Sequence, residues 1–195
     1  LGPSLRVRGV RVNDILARRL PVSIQLGAFA IVFALVAGVI AGTVGALRPG
    51  STLDLTSLGI AVIGISLPTF VTGSVLLIIF AGVLHWLPVG GWGKPSQVIL
   101  PAITLGIAPA AYIARLIRLG LADVMSSDFI RTARAKGVTP MDVLFKHALK
   151  VAFLPVLSFL GPPAAAVMTG SFVVEVIFNV PGIGKPFVDA VLEKD

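Results

Sequence analysis

The chain has 195 residues, of which 56% are hydrophobic and only 13% charged, and its net charge is +7. A soluble domain carries about twice that charged share, so the composition excludes an ordinary water-soluble fold, and its apolar content excludes intrinsic disorder. There is no cysteine, which excludes a disulfide framework, a thiolate metal site and a cysteine nucleophile. Apolar bulk with a basic surplus points to an all-α, polytopic membrane helix bundle, ahead of a nucleic-acid binder.

In chain order, residues 1–20 carry Arg6, Arg8, Arg11, Arg18 and Arg19 against Asp14. No charge then occurs up to Leu47. A helix over 21–47 is long enough for a hydrocarbon core, which needs about 20 residues. Within it, Gly38 and Gly42 form a small-xxx-small pair with Gly45 one turn on, a pattern that permits close helix contact. A second span is expected over 55–84, with Pro68 inside it, followed by a loop from His85 to Gly91 with Trp86 at the interface. A third span is expected over 98–118, containing Pro109, and a fourth over 151–178, containing Pro155, Pro162 and Pro163. An interior proline costs a soluble helix about 3 kcal/mol, but neighbouring helices and hydroxyls satisfy the freed carbonyls in a membrane bundle.

Glu175 is the one acid inside these spans. Intramembrane charges are costly and often functional, which makes Glu175 a candidate gating residue. Its expected place near the end of the fourth span would let it snorkel to water. Arg115 and Arg118 are expected as interfacial anchors. Four crossings put residues 1–20, the 85–96 loop and 179–195 on one side, with Arg48 and 115–150 on the other. Each side then holds eight Lys and Arg residues, so the positive-inside rule leaves the orientation open.

The connection over 119–150 carries the most local information. Ser127 can cap a helix running from Asp128 to Lys136, and Gly137 supplies the left-handed position that ends it. Phe129, Ile130 and Ala133 group at helical spacing, and Arg131 and Arg134 lie on another face. Thr139, Pro140 and Asp142 then form the start of a second helix. Its apolar stripe is expected to be Met141, Leu144, Phe145, Ala148 and Leu149, with Asp142 and Lys146 paired on the wet side. Two short amphipathic helices between spans suit docking to a partner, and equally suit a basic loop lying on anionic lipid headgroups.

Other chemistry finds little support. Gly91-Trp92-Gly93-Lys94 lacks the first glycine of a phosphate loop and is followed by Pro95. His85 and His147 are isolated, without metal-ligand spacing. The remaining alternative class is an ion-coupled secondary transporter, and no acid sits in mid-membrane to carry its proton.

The stretch Asp128-Phe129-Ile130-Arg131-Thr132-Ala133-Arg134-Ala135-Lys136-Gly137 resembles the coupling loop of binding-protein-dependent ABC transporter permeases, above all the dipeptide, oligopeptide and nickel import class. Four further segments resemble the same class in the same order along the chain. They are Arg48-Pro49-Gly50-Ser51 with Leu53-Asp54, Gly64 to Phe70, Leu100 to Gly106, and Thr169 to Glu175 with Phe178 to Gly184. The general permease pattern places Glu-Ala-Ala where this chain has Arg131, Thr132 and Ala133, while its glycine matches Gly137. The missing Glu resembles what the peptide-import class itself shows.

The resemblance implies a permease subunit of an ATP-driven importer that moves peptides or a related small solute across the cytoplasmic membrane, of a bacterium or an archaeon, by alternating access. It implies that residues 119–150 are cytoplasmic, and that Asp128, Phe129, Ile130, Arg131, Thr132, Ala133, Arg134, Lys136 and Gly137 couple to an ATPase. Phe129, Ile130 and Ala133 would pack into the ATPase cleft. The implied partners are a second permease subunit, cytoplasmic ATPase subunits, an extracytoplasmic substrate-binding protein and the lipid bilayer, with no nucleic acid. No cofactor is implied on this chain, since ATP and Mg belong to the ATPase subunits, and the chain is not itself an enzyme. Arg6, Arg8 and Arg11 would lie on the outer face, where they could meet the binding protein. Permeases of this family carry one more transmembrane helix on each side of the matching stretch, so the resemblance implies a single transmembrane domain lacking its flanking helices.

Overall fold

A computed structural model describes residues 12–169 and 171–193. Arg6, Arg8 and Arg11 lie outside the described residues, as do Gly170 and Lys194. The chain is all-α, and no strand occurs among the described residues. Its helices are α1 (Val12–Leu47), α2 (Thr52–Ser66), α3 (Thr69–Leu77), α4 (Pro95–Met125), α5 (Asp128–Ala135), α6 (Pro140–Asp142), α7 (Leu149–Ala152), α8 (Leu154–Met168), α9 (Phe172–Ile177) and α10 (Gly184–Glu193). Two π-helical segments extend them, Ile78–Val83 after α3 and Val143–Ala148 after α6. Helices α1 and α4 are each long and apolar enough to cross a membrane, and counting each of two broken helix pairs as one crossing gives four.

Prolines decide where the apolar runs break. The helix expected over 55–84 is two helices, because Pro68 has no N–H to continue α2 and holds the residue before it away from helical geometry. Pro68 instead adopts an extended conformation, φ −58° and ψ 140°, and its carbonyl accepts from the Val71 N–H at 2.9 Å to start α3. The run expected as one span over 151–178 is also broken. Helix α7 ends at Ala152, the direction changes by 50° around Phe153, and α8 ends at Met168. Pro155 lacks the N–H that would have bonded back across this junction. By contrast Pro21 in α1, and Pro101 and Pro109 in α4, are carried inside continuous helices. Helix α4 runs beyond the expected 98–118 at both ends, and the segment after residue 179 contains α10.

The chain divides into two compact units. The described part of the first consists of residues 12–33, 67–106 and 163–193. Its core gathers Leu26 and Ala30 from α1, Ala81 from the π-helical segment, Leu100 and Leu105 from α4, and Val174 and Phe178 at α9. The 85–94 loop is tied to this core by the Gly91 N–H, which donates to the Phe178 carbonyl at 2.8 Å. A side chain at Gly90 would collide with the Phe178 backbone.

The second unit consists of residues 34–66 and 107–162. Here the small-residue pattern of α1 does what its spacing suggests. A Cβ at Gly38 would fall 2.6 Å from the Ala110 carbonyl oxygen, and one at Gly42 would collide with the Ala114 carbonyl. Two backbones therefore meet along this line, and van der Waals contact rather than the hydrophobic effect drives such packing between lipid-embedded helices. Ile113 and Ile117 of α4 fill the space beside the two glycines and are fully buried. Tyr112 stacks on Phe159, with ring centroids 4.9 Å apart.

Candidate functional site

The loop between α4 and α8 folds as a compact hairpin within the second unit. Ser127 precedes α5 in an extended conformation, but its hydroxyl donates back to the Val124 carbonyl at 2.6 Å and caps no N–H of α5. The Ser127 side-chain cap expected from the sequence is thus replaced by a bond closing the end of α4. The other end of α5 is a Schellman motif. The Gly137 N–H donates to the Arg134 carbonyl at 3.0 Å and the Val138 N–H to the Ala133 carbonyl at 3.2 Å. This geometry requires a left-handed residue, and Gly137 has φ +78°. Thr139 caps the next helix, accepting from the Asp142 N–H at 3.2 Å and donating to the Asp142 carboxylate at 3.1 Å. Lys146 lies 2.7 Å from Asp142. Lys146, and then the Thr139 hydroxyl, hold the Asp142 carboxyl below the usual carboxylate range.

Burial divides the expected coupling residues into two groups. Ile130 (0% exposed) and Ala133 (9%) point into the chain's own second unit. They are therefore unavailable to a partner's cleft, a correction to the expected docking set. Phe129 remains 46% exposed, and Arg131, Thr132, Arg134, Lys136 and Gly137 are exposed with it. Asp128 is exposed and pairs loosely with Arg131 at 3.6 Å. The exposed part of α5 and its C-cap thus offers one aromatic ring, at one edge of the helix, and three cations. Its inner face packs toward the segment after α6, where the expected stripe is also redrawn. Val143, Leu144 and Ala148 are buried, while Met141 and Phe145 stay exposed. The cause is the π-helical turn over Val143–Ala148, whose wider i→i+5 spacing rotates side chains away from the i, i+3, i+4 pattern.

Deeper in the same unit, Asp54 and Arg118 form a brace. Asp54 is 1% exposed. Arg118 Nε donates to Asp54 Oδ1 at 2.5 Å and its Nη2 to Oδ2 at 2.8 Å, a bidentate pair between α4 and α2. The Gly50 N–H donates to the same carboxylate at 2.9 Å, and Ser51 Oγ accepts from the Asp54 N–H at 3.2 Å. Gly50, at φ +74°, lets the chain turn tightly enough to aim that N–H. Arg118, expected as an interfacial anchor, is an ion-pair partner of Asp54, while Arg115 is exposed. Sequence reading passed over Asp54 as chemistry, although Ser51-x-x-Asp54 at the head of an apolar run is itself a capping-box signature.

The first unit holds the second buried acid. Glu175 is 1% exposed, so it does not snorkel to water as expected. Ser23 of α1 donates to Glu175 Oε1 at 2.7 Å, and the Gly184 N–H donates to Oε2 at 2.7 Å. The Ile183 N–H in turn donates to Ser23 Oγ at 2.9 Å. The Asn179–Gly184 loop is thereby held against α1 and α9. Glycine is needed here for room: a Cβ on Gly182 would fall on the Glu175 carboxylate, and one on Gly184 would lie 2.7 Å from the Phe172 backbone. Helix α9 ends in a second Schellman motif, Val180 N–H to Glu175 carbonyl at 2.8 Å and Asn179 N–H to Val176 carbonyl at 3.3 Å. Asn179 takes the left-handed position at φ +49°, which asparagine tolerates better than other side-chain-bearing residues. Beside this loop lies a cavity of about 340 Å³, lined among others by Arg19, Glu175, Asn179, Lys185 and Asp189.

An all-α chain with long apolar helices and a basic amphipathic hairpin between them has recognisable relatives. Residues 34–195 match the family described as binding-protein-dependent transport system inner membrane component. Over its whole length the chain is 45% identical to the oligopeptide transport system permease protein OppB of Escherichia coli (strain K12), covering 64% of that protein. It is 43% identical, again over its whole length, to the dipeptide transport system permease protein DppB of Bacillus subtilis (strain 168), covering 63% of it. The chain thus spans a little under two thirds of the length of these relatives. Among solved structures it resembles the MetNI methionine ABC transporter in an inward-facing conformation, with a TM-score of 0.70 at 19% identity over 91% of this chain and 81% of that one. It also resembles an amino acid ABC transporter crystallised with histidines, with a TM-score of 0.63 at 18% identity over 94% and 81%. The chain belongs to the binding-protein-dependent transport system inner membrane component family. That membership sets it apart from the ion-coupled carriers considered as the alternative.

Proposed function

We propose that this chain is the transmembrane domain of a permease subunit in an ATP-driven importer of peptides or a related small solute. It works by alternating access in the cytoplasmic membrane of a bacterium or archaeon. The observation that carries this reading is the solvent-exposed side of α5 and its C-cap, which leaves Phe129, Arg131, Arg134 and Lys136 open on a helix whose other side is anchored by Ile130 and Ala133. An element fixed on one face and open on the other can transmit a push. Support for the peptide class comes from the 45% identity to an oligopeptide permease.

On this reading residues 119–150 are cytoplasmic, and residues 1–20 and 179–195 lie on the outer face. The membrane segments are α1, α2 with α3 and its π-helical continuation, α4, and the α8–α9 region. A cytoplasmic ATPase receives α5. Phe129 enters its cleft, and Arg131, Arg134 and Lys136 meet acidic or carbonyl groups around it. ATP and Mg stay on that ATPase, and this chain hydrolyses nothing. A second permease subunit completes the path, and an extracytoplasmic binding protein delivers the solute to the outer face. Glu175 acts as a gating residue, because its two hydrogen bonds, from Ser23 and from the Gly184 N–H, fix the outer loop that must shift when the path opens.

The test is charge reversal at Arg131 and Arg134 together in the full-length permease. Both side chains are exposed, so the fold should survive. The expected result is loss of ATPase co-purification and of substrate-stimulated ATP hydrolysis by more than tenfold. Unchanged co-purification with unchanged uptake would overturn the reading.

A further inference from the structure

The cavity of about 340 Å³ beside the Asn179–Gly184 loop has a lining that no partner role so far explains. Arg19 reaches it from α1, while Lys185 and Asp189 reach it from α10, where their i, i+4 spacing puts both on one face. Arg19 and Lys185 form no ion pair within 4.0 Å among the described residues. Nor does Asp189, so both signs of charge meet the same space uncompensated. Glu175 contributes a wall, but both of its oxygens are already taken by Ser23 and Gly184. Val176, Val180, Pro181 and Pro186 supply apolar surface between the charges. The other side of α10 is apolar and exposed at Phe187 and Val191, so Lys185 and Asp189 set the charge of the side that meets the cavity.

We infer that this cavity binds a compact zwitterion, its anionic group held by Arg19 and Lys185 and its ammonium by Asp189. The inference rests on the importer reading for which way the cavity faces, since residues 179–195 are there on the outer side. Two cations and two acids cancel formally, which disfavours a simple anion and favours a ligand carrying both signs. A volume near the lower end of ordinary ligand pockets, about 300–1,000 Å³, suits a short peptide with free termini. An arginine fork matches a carboxylate bidentately, and apolar walls accept small side chains without selecting among them. A phosphatidylethanolamine headgroup carries the same pair of charges, so the shared chemistry has two possible sources.

The test uses the full-length permease with its partner subunits in nanodiscs, without ATP, and dialanine as the probe, followed by saturation-transfer NMR. Dialanine is expected to bind in phosphatidylglycerol discs. Arg19→Gln and Lys185→Gln should each weaken it roughly tenfold, as should blocking either terminus by N-acetylation or C-amidation. Weaker binding in discs containing phosphatidylethanolamine would show that the headgroup shares the site; equal binding in both would assign it to free peptide. No binding in either disc, or binding indifferent to both substitutions, overturns the inference. Dipeptide uptake measured in parallel separates the two claims: ATP-dependent uptake with indifferent binding sinks only this site, while absence of uptake by the unsubstituted complex sinks the importer reading.

Discussion

Asp54 and Glu175 are equally buried, yet the chain satisfies them in opposite ways. Asp54 meets a guanidinium with both oxygens and adds a backbone N–H. Glu175 meets one hydroxyl and one backbone N–H, with no cation within ion-pair distance among the described residues. The first arrangement joins two helices, α2 and α4, through a pair that cannot be half broken without stranding a charge. The second joins a loop to two helices through single hydrogen bonds, each of modest net worth. One holds a charge that needs its partner, and the other consists of single hydrogen bonds that water can replace.

Removing Arg118 should separate the two sites most sharply. Arg118→Ala leaves the Asp54 carboxylate buried without its cation, and folded yield of the full-length permease in fluorescence-detected size exclusion should collapse. The double variant Asp54→Asn with Arg118→Gln should recover much of it. Recovery that fails, or an Arg118→Ala protein as stable as the parent, would remove the brace from the comparison.

Gly182→Ala comes next, costing about 2–3 kcal/mol because its methyl group must displace the Glu175 carboxylate. In a Glu175→Ala background the same change should cost far less, a coupling that thermal unfolding of the four variants reads directly. Glu175→Gln should cost about 1–2 kcal/mol, since its amide keeps one acceptor and turns an N–H toward a donor. Equal costs for Glu175→Gln and Arg118→Ala would erase the distinction between latch and brace.

The smallest effect belongs to the water-exposed acid. Asp142 has its folded-state pKa lowered by Lys146 and Thr139. Its contribution to the α6 cap is therefore fully present above the ordinary carboxylate range and is lost as pH falls through the lowered folded value. A carboxyl-carbon NMR titration should place its midpoint below that of a Lys146→Ala variant, and coincident midpoints would contradict the assigned cause.

Local features of this chain were legible in its sequence because their causes are local. Gly137 ends α5, Thr139 caps α6, and the Gly38–Gly42 line packs closely, each within a few residues of its signal. Pro68 and Pro155 were visible as interruptions, but whether a proline bends, breaks or sits inside a helix depends on neighbours the sequence does not display. Pro109 and Pro68 look alike in sequence and behave differently. The expected docking set divides by burial: the cations and Phe129 stand exposed, whereas Ile130 and Ala133, expected in a partner's cleft, point inward. Helical periodicity marks an apolar side without saying whether a partner or the chain itself will cover it. The two buried acids depend on partners 64 and 152 residues away, and no single-sequence pattern records such pairings. Both π-helical turns were equally hidden, since they shift the very period on which the stripe was read.

The exposed face of α5 is the most direct point of attack on the importer account. This sequence has no cysteine, so in a cysteine-free full-length background Phe129→Cys reports one position. Its maleimide labelling rate should be measured with and without the ATPase subunits. The account predicts rapid labelling of the permease alone and at least tenfold protection in the complex, while Met141→Cys, exposed elsewhere in the hairpin, is protected less. Equal labelling of Phe129→Cys in both states would contradict it.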